Sequence, residues 1–238
     1  TTLLARQHFK TFSERFKGLP VNVAQASRLV SAKDLADVKA GLKDGKIDVV
    51  VGTHALLGKS IDFARLGLII VDEEQHFGVT HKERLKKLRE DVHVLTLSAT
   101  PIPRTLQLAL TGVRELSLIT TPPVDRLAVR TFISPFDPVI LADALKRERA
   151  RGGQSFYVVP RIADLDEVAE FLGEVVPELK VARAHGQLTP TELEDIMTAF
   201  YEGQYDILLS TAIVESGLDV PNANTLIVHR ADMFGLAA

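Results

Sequence analysis

The sequence contains no cysteine and no tryptophan, and it has no long uninterrupted apolar run. The lack of cysteine excludes a disulfide framework and fits a reducing cytoplasm. No run approaches the roughly 18 apolar residues of a membrane-spanning helix, and the N-terminus lacks the charged and apolar regions of a signal peptide. We therefore expect a cytoplasmic protein with no membrane segment.

A strong excess of one charge is also missing, because 28 basic residues face 31 acidic ones and the net charge is −3. No global basic field draws nucleic acid to the chain, so any such binding must use local groups. A basic run at 81–89 is more typical of a solvated helix face, and we assign it no role. The chain does have 46% hydrophobic residues over 238 positions, enough for the core of one large domain or of two ordinary ones.

The apolar run at 68–71 ends abruptly in Asp72, Glu73 and Glu74. This pattern predicts a strand that is buried on both faces and whose C-terminal end opens into a crevice. In open parallel sheets, ligands bind outside the carboxyl ends of the strands, so these acids are placed for Mg²⁺ and for a water that attacks a phosphate. The alternative is a solvated acidic turn after a core strand.

Other predicted strands also end in small hydroxyl-bearing or acidic residues. These are Thr53 with His54, then Ser98, Ala99 and Thr100, and in the second half Thr211 with Glu215, Gly217 and Asp219. Parallel packing would bring the strand ends of the first half to one edge, where acids could hold a metal and hydroxyls could bind phosphates. The alternative is that each Ser or Thr only caps the helix that follows it.

Strand and helix patterns alternate along the chain, which predicts parallel sheets in an α/β fold. Pro122 and Pro123 exclude both helix and central strand, so we predict a first domain at 1–125 and a second at 126–238. Predicted helices are 3–16, 31–42, 81–89, 103–110, 137–151, 164–175 and 189–200, and predicted strands are 21–24, 47–51, 68–71, 94–97, 115–119, 127–133, 155–159, 180–184, 207–209 and 225–228.

An internal repeat supports two domains. Residue pairs recur at a constant offset of 158 (for example, 211 − 53 = 158), namely Val23 and Val181, Ser31 and Thr189, Leu35 and Leu193, Gly45 and Gly203, Asp48 and Asp206, and Thr53 and Thr211. We infer that one unit occurs twice, although two α/β segments can also share such a pattern by chance. The equivalent of the strand at 155–159 would precede Thr1, and no Gly-x-x-x-x-Gly-Lys-Ser/Thr loop for phosphates occurs, so we expect a piece of a longer protein.

Several motifs resemble one family. Thr-Thr-Leu-Leu-Ala, Gly-Thr-His, Asp-Glu-Glu-Gln, Ser-Ala-Thr-Pro-Ile-Pro-Arg-Thr and Thr-Ala-Ile-Val-Glu-Ser-Gly-Leu-Asp-Val-Pro are similar to the motor of superfamily 2 helicases and translocases. More narrowly, the chain resembles bacterial transcription-repair coupling factors. RecG helicases share Thr-Pro-Ile-Pro-Arg-Thr-Leu but typically have a single Glu after the Asp, so Glu73 with Glu74 favours the coupling factors.

The resemblance implies two RecA-like lobes of the P-loop NTPase type in tandem, the first truncated at its N-terminus, that clamp ATP and move along double-stranded DNA. By this resemblance, Asp72 holds Mg²⁺, Glu73 is the general base and Gln75 senses the γ-phosphate, while Gly217 and Asp219 face the nucleotide from the second lobe. The residues implied to bind DNA are Thr53, His54 and Thr211. The residues implied to couple the nucleotide site to the DNA site are Ser98, Ala99 and Thr100. The phosphate-binding loop and the final arginine motif would lie outside the sequence, and Ala238 replaces an expected Gln.

The implied function is displacement of stalled RNA polymerase in the bacterial nucleoid, with RNA polymerase and the UvrA repair protein bound through other domains. The complete protein is then an ATP hydrolase, whereas the isolated chain is expected to be inactive. Two alternatives remain: a RecG-like branch-migration helicase, and a non-catalytic RecA-pair module that only binds nucleic acid or protein.

Overall fold

A computed structural model of the chain describes residues 2–28, 30–72, 79–88, 90–97, 117–122, 127–211 and 220–234. All strand pairs in these ranges are parallel, which confirms the predicted α/β class. The helices are α1 (Thr2–Arg15), α2 (Ala32–Lys43), α3 (Val79–Leu88), α4 (Pro138–Ala150), α5 (Asp164–Val175) and α6 (Pro190–Tyr201), with short 3-10 helices at His54–Leu57 and Ala231–Met233. The strands are β1 (Val23–Ala26), β2 (Val49–Gly52), β3 (Leu68–Asp72), β4 (His93–Leu97), β5 (Gln154–Val158), β6 (Val181–Ala184), β7 (Ile207–Ser210) and β8 (Ala223–Val228).

The strands form separate sheets in the two halves of the chain. In the first half β1 pairs with β2 and β3 pairs with β4, whereas the second half has one sheet in the order β6-β7-β5-β8. No sheet in the described part of the chain contains strands from both halves. This division is the one expected for two tandem lobes.

The predicted repeat is present in the strand pairing. Val23 pairs with Val49 in β1 and β2, and Val181 pairs with Ile207 in β6 and β7, so both strands and their register recur at the same offset (181 − 23 = 207 − 49 = 158). Helices α2 and α6 also begin 158 residues apart (190 − 32 = 158). One structural unit therefore occurs in both halves.

The local contacts of the repeat also recur. Ser31 and Thr189 are the N-caps of α2 and α6, and each side-chain oxygen accepts a hydrogen bond from a backbone N–H in the first turn. The two helices are followed by Gly45 and Gly203, whose φ angles of +70° and +81° lie in the left-handed region that favours glycine.

A carboxylate fixes the entry of the first strand in each copy. Asp48 Oδ2 accepts from the Asn22 N–H at 2.7 Å, and Asp206 Oδ2 accepts from the Lys180 N–H at 2.9 Å. In the Gly-x-x-Asp pattern of the repeat, the glycine therefore follows the end of the helix and the aspartate binds the backbone at the start of the strand.

Two predicted strands near the domain boundary are wrong in their described parts. Residues 127–133 form no strand, and Leu127 and Ile133 are 89% and 98% exposed. Alternating apolar residues favour a strand, but a strand also needs a hydrogen-bonded neighbour, and no described strand pairs with this segment. Residues 117–119 likewise have no regular structure. The predicted helix at 103–110 and the boundary at 125 and 126 lie outside the described residues.

The prediction that the strand at 68–71, now β3, is buried on both faces is also wrong, and its neighbour β4 is exposed in the same way. Leu68 and Ile70 are 55% and 47% exposed, and Leu95 and Leu97 are 50% and 40% exposed, whereas Val71 is only 4% exposed. Because Ile70 pairs in register with Leu95, all four exposed side chains lie on one face. No described element covers that face.

The central strands of the sheet in the second half, β5 and β7, are covered on both faces. One cluster joins α4 and α5 to the sheet through Leu145, Tyr157, Val159, Leu165, Val168, Leu172, Ile207 and Leu209. The other cluster lies between the sheet and α6 and contains Ala182, Ala184, Met197, Phe200 and Leu208, together with Leu3 of α1. The near-continuous apolar sequence of β7, which is buried along its whole length, is typical of a strand covered on both faces.

Polar contacts also join the first half of the chain to α6. Arg28, after β1, forms an ion pair with Glu194 and donates to Thr191 Oγ1 at 2.9 Å and to the Pro190 carbonyl oxygen at 3.3 Å. With Leu3 buried in the same cluster as α6, these contacts join the two halves of the chain.

A buried carboxylate fastens α4 to β8. Glu148 is 1% exposed, and its Oε2 atom accepts from Arg151 Nε at 2.9 Å and from Thr225 Oγ1 at 2.6 Å. Burial raises the pKa of the Glu148 carboxyl, but the hydrogen bonds from Arg151 and Thr225 and the charge of Arg151 outweigh it, so the net shift is downward. Glu148 is therefore ionised at neutral pH.

The Glu148 carboxylate lies so close to position 153 that only glycine fits there. A Cβ atom there would overlap Glu148 Oε1 and lie 3.0 Å from the Asn222 carbonyl oxygen. We expect Gly153→Ala to destabilise the chain by about 1–3 kcal/mol. Gly173→Ala in α5 is the matched control: a Cβ there meets nothing within 4 Å, and alanine should stabilise the helix by roughly 0.5–1 kcal/mol. Urea unfolding of both variants checks the prediction, and equal stability of the two would contradict it.

Candidate nucleotide and nucleic-acid site

Asp72 lies at the C-terminal end of β3, opposite Leu97 in the register of the sheet. Its side chain is 27% exposed, and its Oδ2 atom accepts a hydrogen bond from His8 Nε2 of α1 at 2.9 Å. Among the described residues there is no cluster of three or more His, Asp or Glu that could hold a metal alone. One accessible carboxylate fits Mg²⁺ in a nucleotide site, because that ion takes one or two carboxylates and completes its shell with phosphates and water.

Thr53 and His54 follow β2 directly. Thr53 is the N-cap of the 3-10 helix His54–Leu57, and its Oγ1 atom accepts from the Ala55 N–H at a long 3.4 Å. The capping alternative is therefore correct for the local role of Thr53. The cap uses the hydroxyl oxygen only as an acceptor, so the O–H can still donate to a ligand.

The His54 ring lies 4.6 Å from the His81 ring of α3. Burial, followed by the charge of His81, lowers the pKa of His54. His54 is therefore mostly neutral at pH 7 and can contribute a hydrogen bond to a phosphate but little charge. This contact brings the C-terminal end of β2 close to α3.

Thr211 follows β7 at the C-terminal edge of the second sheet. It is 6% exposed, and its N–H donates to the Ala184 carbonyl oxygen at 3.2 Å, which extends the pairing of β6 and β7 by one residue. Its Oγ1 atom has no hydrogen-bond partner among the described residues. Unlike Thr53, Thr211 caps no described helix.

The remaining predicted site residues lie outside the residues that the structure describes. They are Glu73, Gln75, Ser98, Ala99, Thr100, Gly217 and Asp219. Their roles in catalysis, nucleotide binding and coupling therefore stay predictions.

Two residues that contact the site were not assigned a role from the sequence. His8 lies on the same stripe of α1 as Leu4 and Phe12, and this spacing indicates only that it faces the sheet. Its bond to Asp72 joins residues 64 positions apart, and no local pattern predicts such a contact. His81 was part of a run that was read as a solvated helix face.

Comparison with known proteins identifies both halves. The family described as DEAD/DEAH box helicase matches residues 1–109, and the helicase conserved C-terminal domain matches residues 138–236. The fold is therefore two RecA-like helicase domains in tandem. The exact domain boundary at 125 and 126 stays a prediction.

The similarity to curated proteins covers the whole chain. The transcription-repair-coupling factor of Rickettsia conorii (strain ATCC VR-613 / Malish 7) is 54% identical over 237 residues, which is 100% of this chain and 21% of that protein. The chain belongs to the transcription-repair-coupling factor family. The factor of Escherichia coli (strain K12) is 48% identical over 237 residues, again 100% of this chain and 21% of its own length.

The chain thus spans about a fifth of the coupling factors that it matches. Among solved structures, RecG bound to a three-way DNA junction is 37% identical with a TM-score of 0.81, covering 99% of this chain and 32% of that one. These similarities make the chain part of a superfamily 2 helicase motor. In the described part of the chain, no helix has the length and apolar character needed to cross a membrane.

Proposed function

We propose that this coupling-factor segment is the motor of an ATP-driven translocase that moves along double-stranded DNA and displaces stalled RNA polymerase. The observation that supports this most is the repeated unit, which ends in Thr53 in one half and in Thr211 in the other (211 − 53 = 158). Two equivalent hydroxyls on two lobes suit a machine that holds a DNA strand at two points and changes their separation.

For nucleotide chemistry, Asp72 would hold Mg²⁺ and Glu73 would orient and deprotonate the attacking water. Gln75 would contact the γ-phosphate, while Gly217 and Asp219 would face the nucleotide from the second lobe. Mg²⁺, when bound, neutralises charge on the transferred phosphate. The hydrogen bond from His8 supports the role of Asp72, because it fixes the orientation of the carboxylate at the end of β3.

For DNA, we propose that Thr53, His54 and Thr211 contact the phosphate backbone. Backbone contacts fix position on the duplex and carry no direct sequence information, which a translocase requires. Ser98, Ala99 and Thr100 would transmit the nucleotide state to these contacts. RNA polymerase and the UvrA repair protein would bind other domains of the full-length protein.

Replacing Thr53 or Thr211 with alanine in the full-length protein tests the DNA assignment. Each variant should raise the DNA concentration needed for half-maximal ATPase stimulation by about 2- to 10-fold, because each loses one net hydrogen bond of roughly 0.5–1.5 kcal/mol. The loss should be the same on unrelated DNA sequences. Measuring ATPase rates against duplexes of different sequence checks this.

Thr131 is exposed and serves as the control. Thr131→Ala should leave the DNA concentration for half-maximal ATPase stimulation unchanged on every duplex. Losses that depend on DNA sequence would contradict backbone contact. A strong preference of the wild-type protein for branched junctions over linear duplex would instead favour a RecG-like branch-migration activity.

A further inference from the structure

The hydrogen bond between His8 and Asp72 joins α1 to the carboxylate that is assigned to Mg²⁺. His8 Nε2 lies 2.9 Å from Asp72 Oδ2, and the two side chains are 39% and 27% exposed. A carboxylate can only accept hydrogen bonds, so His8 Nε2 carries the hydrogen and donates it. The bond uses the Oδ2 atom of Asp72, so an ion can be bound through Oδ1.

The orientation of Asp72 matters because this carboxylate has to serve a demanding ion. The terminal torsion of an aspartate side chain is broad and roughly two-fold, so a carboxylate without a partner is free to rotate. Mg²⁺ requires a near-ideal octahedral arrangement of its oxygen ligands. A group that hydrogen-bonds a metal ligand orients it and strengthens metal binding. His8 is placed to act in this way on Asp72.

The start of α1 is anchored on the second domain. Residues 2–5 are all buried, whereas the rest of the helix is partly or fully exposed. Leu3 is 1% exposed and belongs to the same buried cluster as Phe200 of α6. One turn further on, Arg6 Nη1 lies 3.4 Å from Glu202 Oε1 at the C-terminal end of α6. The contact with α6 therefore helps to set the position of α1.

His8 and Leu3 lie on different sides of α1. At 3.6 residues per turn, their separation of five positions corresponds to about 140° around the helix axis. The helix thus contacts α6 through one side and Asp72 through another. A displacement of the start of α1 moves the His8 ring with it, and a hydrogen bond weakens steeply as its distance and angle depart from the optimum.

We propose that His8 is a positioning residue that orients Asp72 for Mg²⁺, and that α1 makes this orientation depend on the contact with α6. Because α6 belongs to the second domain, the affinity for Mg²⁺ with nucleotide then depends on how the two domains meet. Coupling between two events is reciprocal, so bound Mg²⁺ also strengthens the contact between α1 and α6. The inference rests on the proposed function, which assigns Mg²⁺ to Asp72.

The first test measures the affinity of the full-length protein for a fluorescent ATP analogue over a range of Mg²⁺ concentrations and in EDTA. His8→Ala should raise the Mg²⁺ concentration for half-maximal binding by about 10-fold. This is the lower end of the range for losing a group that orients a metal ligand, because the nucleotide phosphates supply other ligands. Affinity in EDTA should not change, whereas a merely structural histidine would affect binding equally with and without Mg²⁺.

Two conservative variants test the position of the donor. The side-chain amide nitrogen of His8→Gln reaches about as far from the backbone as Nε2, so this variant should recover most of the loss. The shorter side chain of His8→Asn should not. His93→Ala is the matched control, because His93 is exposed and pairs with Leu68 at the opposite end of β3 from Asp72. It should leave the Mg²⁺ dependence unchanged.

The second test changes the contact between α1 and α6. Arg6→Glu places two carboxylates opposite each other and should raise the half-maximal Mg²⁺ concentration by about 2- to 5-fold, the scale of an exposed ion pair. Glu202→Arg should act similarly, and the double variant, in which the two charges are exchanged, should restore the original value. In a His8→Ala background Arg6→Glu should have no further effect, because the coupling runs through His8.

The outcomes separate this inference from the proposed function. If Asp72→Asn leaves the Mg²⁺ dependence unchanged, the proposed role of Asp72 fails and this inference fails with it. If Asp72→Asn changes that dependence but His8→Ala does not, Asp72 keeps its role and His8 is not a positioning residue. If His8→Ala acts as expected and the Arg6 and Glu202 variants do not, the coupling through α1 is wrong.

Discussion

Replacing Glu73 with glutamine in the full-length protein is expected to reduce DNA-stimulated ATP turnover by about 10²- to 10⁴-fold and to leave ATP affinity almost unchanged. The amide keeps the shape of the side chain but cannot accept the proton of the attacking water, and a positioned base contributes roughly that factor. Asp72→Asn should instead weaken Mg²⁺-dependent nucleotide binding, because it removes the negative charge that holds the ion. Steady-state ATPase and nucleotide-affinity measurements separate the two effects.

Glu74→Gln is the matched control for Glu73→Gln, since it makes the same chemical change one position along the chain. It should retain turnover within a few-fold. Equal losses in the two variants, or undiminished turnover in Glu73→Gln, would contradict the assignment of the base. The 238-residue chain alone should not hydrolyse ATP, because it has no Gly-x-x-x-x-Gly-Lys-Ser/Thr loop for the phosphates.

Replacing Phe200 with alanine is expected to cost about 3–5 kcal/mol of folding stability, the range for removing a fully buried aromatic ring. Phe200 is 0% exposed and lies in the cluster that joins α6, the second sheet and Leu3 of α1. Its ring centroid is 5.3 Å from that of Phe156. The loss should therefore destabilise the second domain and also loosen its contact with the first.

Phe132→Ala makes the same substitution at a position that is 86% exposed. It should change stability by no more than about 0.5 kcal/mol. Calorimetry of the two variants provides the comparison, with each kcal/mol worth roughly 2–4 °C of melting temperature in a chain of this size. A Phe200→Ala variant as stable as Phe132→Ala would contradict the core described above.

Local patterns predicted much of this fold because its elements carry their own signals. Ser31 and Thr189 begin two of the predicted helices, and the structure has an N-cap at each. Gly45 and Gly203 were paired by the repeat, and both have a left-handed conformation after these helices. The constant offset of 158 then related the two halves without any structure. Asp48 and Asp206 were part of that repeat, and the structure shows that each accepts a hydrogen bond from the backbone at the start of a strand.

Long-range partners could not be predicted in the same way. The segment at 127–133 has the alternation of a strand, yet no described strand pairs with it, and a single sequence does not indicate which edges are free. The hydrogen bond from His8 to Asp72 depends on how α1, which packs against β1 and β2, reaches the end of β3.

The most direct test of the motor assignment is displacement of a third strand from a duplex by the full-length protein. A fluorescent triplex-forming oligonucleotide is bound to linear double-stranded DNA, and its release is followed with ATP and with a non-hydrolysable analogue. An ATP-driven translocase should release it on linear duplex of any sequence with ATP only, and Glu73→Gln should abolish release. Release without hydrolysis, or no release by a protein that hydrolyses ATP and binds the duplex, would contradict translocation.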